Sequence, residues 1–324
     1  IEVFSGGSMA VSSGSANTFS VSNGFSLLDV AANRAGESAR LTSNSDLSVT
    51  GNLTLTQPNA RLDLRATDNV RIAPGVSLLS ASGPMAVTLA ADADASGIGS
   101  VTLQGSASGG SSGPQLVTIE TRGGNVLISG GADPLTDFAN GSFDPGVSID
   151  GSVIDTRGAG TTAGSITIRG QGRAVNDEVG LIGGGGVALS NSTLTGGDMA
   201  ITARGNNEWA LRISNTTLTT AAGVVDLRGI AQAQGNDAGV GVLISDASRI
   251  NLGTAGRLTL AGNGPTAGLT LYDLTIAGGA RITLAGQAGS IGGSSAPTVL
   301  WGVGRTAGTP GLVITGATGA SSTA

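Results

Sequence analysis

The side chains of this chain that could do chemistry are few in kind. All 16 cationic groups are arginine, 22 residues are Asp or Glu, and cysteine, histidine and lysine do not occur. This removes disulfides, thiol nucleophiles and thiolate metal sites. It also removes Ser-His-Asp chemistry and the HExxH zinc site. Without lysine there is no Walker A loop and no Schiff base. What remains is carboxylate and arginine chemistry: paired acids for glycoside cleavage, oxygen ligands for calcium, and polar groups for sugar hydroxyls.

Several local groupings offer such chemistry. Gly109, Ser111 and Gly113 satisfy G-x-S-x-G, but no histidine exists to act as base, so the segment reads as a Gly/Ser loop. Gly183 to Gly186 has no phosphate-binding lysine and reads as a flexible corner. Asp92 and Asp94 have the spacing of one calcium contact, without the Glu and Gly pattern that completes such a loop. Asp133, Asp137, Asn140 and Asp144 fall in a long insertion with Phe138 and Phe143. A solvated loop is the simpler reading of both acidic segments, and no cofactor or metal is expected. Asn-x-Ser/Thr occurs at Asn52, Asn140, Asn191 and Asn215. At Asn191 and Asn215 a turn role suffices.

The elements that must position these residues follow from an internal repeat. One phrase reads LDLRA at 62–66, VTLAA at 87–91, VTIET at 117–121, ITIRG at 166–170, ITARG at 201–205, VDLRG at 225–229, LTLAG at 258–262 and ITLAG at 282–286. Its last residue steps by 24 from Gly205 to Gly229 and again from Gly262 to Gly286. A second phrase precedes it: VSIDGSVID, VALSNSTLT, LRISNTTLT, VLISDASRI and LTLYDLTI, starting at 147, 187, 211, 242 and 269. Each alternates apolar with small polar residues and turns at Gly151, Asn191, Asn215, Asp246 or Asp273. These residue types tolerate a left-handed backbone.

Three period-2 segments in about 24 residues make one turn of a coil. The expected fold is all-β, a right-handed parallel β-helix of three-stranded rungs, stacked at ~4.8 Å. Val225, Leu227, Ile166, Ile168, Leu211 and Ile213 should point inward, and Asp226, Arg228 and Thr167 outward. Residues 1–37 read as degenerate first rungs or a cap, 38–316 as the β-helix, and 317–324 as a linker or continuation. The start at Ile1, in mid-pattern, suggests a processed or excised piece.

Outward strand positions are mainly Thr, Ser and Ala, and no adjacent rungs show aligned carboxylates in this reading; catalysis is therefore not expected. Insertions collect after the first phrase. They carry Arg173, Asn176, Asp177 and Glu178; then Asn206, Asn207, Glu208 and Trp209; then Gln232, Gln234, Asn236 and Asp237. Loops leaving the same corner must line up along one edge of the rod. Amides, carboxylates and an indole there suit a ridge that contacts glycan or protein. The simpler alternative is a corner that tolerates insertions.

The phrases ISNTTLTTAAGVVDLRG at 213–229 and LYDLTIAGGARITLAG at 271–286 resemble the shaft repeats of filamentous-haemagglutinin-like exoproteins. These are two-partner-secreted adhesins of Gram-negative bacteria and include contact-dependent inhibition proteins. The resemblance covers roughly residues 38–316; the family's Asn-Pro-Asn signatures have no match in Gln57-Pro58-Asn59. It implies a non-enzymatic adhesin segment, secreted or on the cell surface, exported through an outer-membrane transporter and binding a glycan or protein receptor. It carries over no catalytic residue. A polysaccharide-acting β-helix enzyme and a passive stalk for a toxin or tip domain are the rival readings. A net charge of −6 argues against nucleic acid and anionic membrane. No apolar run approaches the ~18 residues of a spanning helix.

Overall fold

The computed structural model describes residues 9–12, 19–21, 38–56, 58–106, 113–141, 144–160, 162–177, 180–206, 209–232, 239–279, 281–288 and 312–315. Among them there is no helix. The strands form three long parallel sheets, visited in turn by each rung, which is a parallel β-helix. Sheet 1 begins at Met9–Ser12 and Ser38–Ser43, continues through Ala60–Ala66, Met85–Ala91, Val126–Gly130, Ile166–Gly172, Met199–Asn206, Val224–Gln232 and Arg257–Gly264, and ends at Arg281–Ala288. Sheet 2 runs from Phe19–Val21 to Ala267–Leu271, and sheet 3 from Leu53–Leu55 to Leu312–Thr315. Met9–Ser12 and Phe19–Val21 thus extend sheets 1 and 2 by one rung into the stretch read as degenerate.

Alternation decides which side chains enter. Val225, Leu227, Ile166, Ile168, Leu211 and Ile213 are all at most 1% exposed, as the pattern requires. In register they stack like on like: Ile201, Leu227, Leu260 and Leu284 occupy one row of sheet 1. The result is a single core cluster running from Leu41 to Ile282. Each fully buried Val, Leu or Ile contributes about 1.5–3 kcal/mol.

The corner between sheets 2 and 3 is built as the second phrase implies. Gly151, Asn191, Asn215, Asp246 and Asp273 all have positive φ, between 45° and 58°. Just behind them runs a buried hydroxyl ladder of Ser152, Ser192, Thr216 and Ser248. The amide of Ser152 donates to Ser192 Oγ at 3.1 Å, that of Ser192 to Thr216 Oγ1 at 3.4 Å, and that of Thr216 to Ser248 Oγ at 3.3 Å. The hydroxyls of Ser192, Thr216 and Ser248 in turn donate to carbonyls of Ser190, Ser214 and Ser245. Amides that the turn leaves without a strand partner are satisfied inside the core, where an unpaired one would be costly.

Two details of the repeat differ from the reading by phrase. VTIET at 117–121 is not a sheet 1 strand: Val117–Glu120 lies in sheet 3, and Val126–Gly130 supplies sheet 1 for that rung. All three sheets share the same alternation, so a strand's own residues do not say which sheet it joins. The step of 24 at Gly205 is also corrected. Ile201 pairs with Leu227 and Gly205 with Ala231, a step of 26. The strand of that rung runs two residues longer before its corner. A slip of two leaves every side chain on its expected face.

Candidate functional site

Connections from sheet 1 to sheet 2 all leave along the same edge of the rod, because both sheets stack in chain order. This edge carries the 131–146 insertion, whose Ala139–Gly141 adds a strand beside Ile166–Gly172, and an antiparallel hairpin of Ala174–Asp177 with Gly180–Gly183. Other corners also carry insertions, so the edge does not hold them all. Residues 105–116 interrupt the sheet 2 to sheet 3 corner, bridged by Ser106 and Gln115. Residues 156–165 interrupt the sheet 3 to sheet 1 corner, bridged by Arg157 and Ala163.

Of the proposed ridge, Arg173 and Gln232 are exposed. Asn176 and Asp177 lie on the hairpin, and the backbones of Asn206 and Gln232 are sheet neighbours. Trp209 is half-buried, and its indole lies so close over Gly185 that a Cβ there would sit 1.9 Å from Cζ3. Gly184, Gly185 and Gly186 are buried, so this part of the 183–186 run serves as a close-packed seat rather than a flexible corner. Glu178, Asn207, Glu208, Gln234, Asn236 and Asp237 lie outside the described residues, as do Gly109 and Ser111.

The acidic loops are more ordered than a solvated reading allows. Asp92 is 1% exposed. Its Oδ1 accepts from Ser96 Oγ and the Gly97 amide, and its Oδ2 accepts from Asn140 Nδ2 at 2.6 Å. The carboxylate thereby ties two successive edge loops together. Asp133 and Asp137 close a tight turn, with Asp133 Oδ1 accepting from the Leu135 amide and Asp137 Oδ2 from the Asp133 amide. Asp144 is exposed. Among the described residues no three Asp or Glu side chains converge as a metal site would need. The sequon residues are structural in part: Asn52 Oδ1 accepts from the Ser77 amide, and Asn215 Nδ2 donates to Asn191 Oδ1 at 2.9 Å.

One juxtaposition overturns the expectation about carboxylates. Glu120 and Asp155 are register partners on adjacent rungs of sheet 3, and parallel neighbours lie ~4.8 Å apart. They are 35 positions apart in sequence, so only the register reveals them. Arg157 grips Asp155 through Nε at 3.0 Å, Nη2 at 2.5 Å and its own amide at 2.9 Å. Asp155 and Arg157 border a groove of about 590 Å³ that also meets Thr162 and Thr195. Burial alone would push the Asp155 carboxyl up. The hydrogen bonds and charge of Arg157 outweigh it and hold the carboxyl below its ordinary value, and Asp155 raises Arg157 in return.

Arg157→Ala should therefore raise the Asp155 pKa, since the desolvation stays while the guanidinium's hydrogen bonds and charge go and only the residue 157 amide remains; a carboxyl NMR titration reads this directly. Because the folded pKa is depressed, the pair's stabilisation is present above the unfolded value and is lost as pH falls through the folded one. Arg157 is largely exposed, so solvent screens the pair and the loss should be small.

The arginines are segregated, which the sequence reading missed. Sheet 1 strands carry eight of the 16, at Arg40, Arg61, Arg65, Arg169, Arg204, Arg228, Arg257 and Arg281, against only Asp63 and Asp226. The signal was present: four copies of the first phrase have Arg in fourth place, at 65, 169, 204 and 228. Asp63 is shared by Arg40 and Arg65, both at 2.8 Å, and Asp226 pairs with Arg228 at 2.9 Å. Arg204 lies 4.3 Å over the Phe138 ring. Arg169 Nη1 is buried without a hydrogen-bond partner among the described residues.

No protein-family model matches the chain, and no curated protein or solved structure is significantly similar to it.

Proposed function

We propose that this chain is a rigid, non-enzymatic segment of an exported bacterial adhesin, a rod that displays contact surfaces for a glycan or protein on a cell or matrix. The observation that supports this most is the commitment of most of its strand carboxylates, Glu120 apart. Asp63, Asp155 and Asp226 are held by arginines, and Asp150 by Ser190 and Asn191. The rungs between them are a continuous scaffold with loops aligned on one edge. Export as an unfolded chain suits a cysteine-free sequence whose rungs fold one after another through local contacts.

The test is adhesion of the purified chain to cells and to a glycan array. Trp209→Ala is expected to weaken binding through the edge, while Thr283→Ala, on the face of sheet 1, leaves it unchanged. Circular dichroism must show both variants folded, because the indole also packs on Gly185. Equal binding by the two would remove the edge from the reading.

Glu120 beside Asp155 favours a second reading, a glycosidase or lyase acting on polysaccharide. A retaining pair needs carboxyl groups about 5–5.5 Å apart, one of them protonated. Arg157 keeps Asp155 ionised, so the acid would have to be Glu120, which stands exposed in solvent. Release of reducing ends or unsaturated sugars from acidic polysaccharides, abolished by Glu120→Gln, would establish this reading instead.

A further inference from the structure

The first four complete rungs place a basic cleft on the outer face of sheet 1. Its floor is Arg40, Arg61, Asp63 and Arg65, with Thr88 on the next rung, and its volume is about 320 Å³. The 131–137 turn folds back over the same face. Ser129 points outward yet is fully buried, its hydroxyl donating to the Pro134 carbonyl at 2.7 Å. Leu135, beyond it, is 68% exposed at the cleft mouth. An exposed leucine beside three arginines, on a chain of net charge −6, has no folding role that these contacts reveal.

We propose that this cleft binds a carboxylate-bearing polysaccharide, a polyuronate chain. Arg61 is exposed and has no ion-pair partner among the described residues, which leaves its fork open. Guanidinium matches a carboxylate in bidentate geometry. Arg40 and Arg65 are already oriented by Asp63, which fixes two further forks without filling them. The three arginines outnumber the two carboxylates of the lining, Asp63 and Asp133, so the cleft keeps a net positive charge that attracts such a ligand. Leu135 offers an apolar lip to the non-polar face of a sugar ring, seated on the buried Pro134. A single carboxylate would satisfy one fork; a chain satisfies successive arginines, and the remaining sheet 1 arginines continue along the same face. The proposal rests on the reading of the chain as a binding rod and names its ligand class.

Titration calorimetry with polygalacturonate oligomers, in low salt, tests it on the full chain. Arg61→Ala is expected to weaken binding about tenfold, the loss of one charge-assisted pair, and Leu135→Ser to weaken it less. Arg257→Ala with Arg281→Ala, on the same face but distant rungs, should leave short oligomers bound as before. Added salt should weaken binding, and neutral dextran should not bind. Wild-type affinity in Arg61→Ala, or equal loss in the distant double variant, overturns the cleft. Equal affinity for sulfated chains lacking carboxylates overturns the ligand class. Failure of cell adhesion with oligomer binding intact would instead remove the adhesin reading and leave the cleft standing.

Discussion

Leu227→Asp is expected to unfold the rod rather than merely soften it. Leu227 is fully buried, stacked between Ile201 and Leu260 in the middle of the core. Truncating such a residue costs roughly 2–5 kcal/mol, and the new carboxylate has no buried cation or donor to meet it. The combined loss, on the order of 5 kcal/mol or more, is comparable with the whole stability of an ordinary domain. Thr167→Asp is the matched control. Thr167 lies on the outer face, half-buried between Leu127 and Ala200, with no acid beside it in register. Its replacement should cost under about 1 kcal/mol. Denaturant unfolding followed by circular dichroism reads both, and equal costs would show that the inward register is wrong.

Gly262→Val should be nearly as damaging for a different reason. A Cβ on Gly262 would lie 1.8 Å from the Gly268 carbonyl oxygen and 2.5 Å from its carbon. Both atoms belong to backbone that sits on the strand as the chain turns into sheet 2. No rotamer relieves that clash, so the corner must move off the strand, breaking pairing on either side. A loss of several kcal/mol, or failure to fold, is expected. Ala285→Val, on the exposed face of the neighbouring strand, should change the melting temperature little. If the two behave alike, the corner is looser than its geometry.

The corner glycine also explains what was legible in the sequence and what was not. Gly229 and Gly262 mark the same place in two rungs and align by register, but Gly205 marks it two residues late. Aligning phrases by their final glycine therefore finds the corners correctly and the register only to within an even number. That suffices for the core, because facing depends on parity alone. It does not suffice for the outer surface, where chemistry depends on which residue lies beside which. The turn residues Asn191, Asn215, Asp246 and Asp273 were legible because positive φ restricts composition locally. Glu120 and Asp155 were not, because a third-corner turn and the 131–146 insertion separate residues that the register makes neighbours. Asp92 was misread as solvated for the same reason: its partner Asn140 is 48 residues away.

The direction of the inter-rung hydrogen bonds has a mechanical consequence. They link strands stacked along the rod, so tension applied between its ends runs along these bonds rather than across them. Every rung boundary carries the same load but one gives way at a time, and each boundary, including the Ser152 to Ser248 ladder, peels instead of shearing. Freeing the rung between Leu260 and Leu284 releases 24 residues, about 80 Å of extended chain. Each remaining rung keeps its contacts to its neighbours. A tether of this construction yields in steps, paying out slack while the rest of the rod holds its shape.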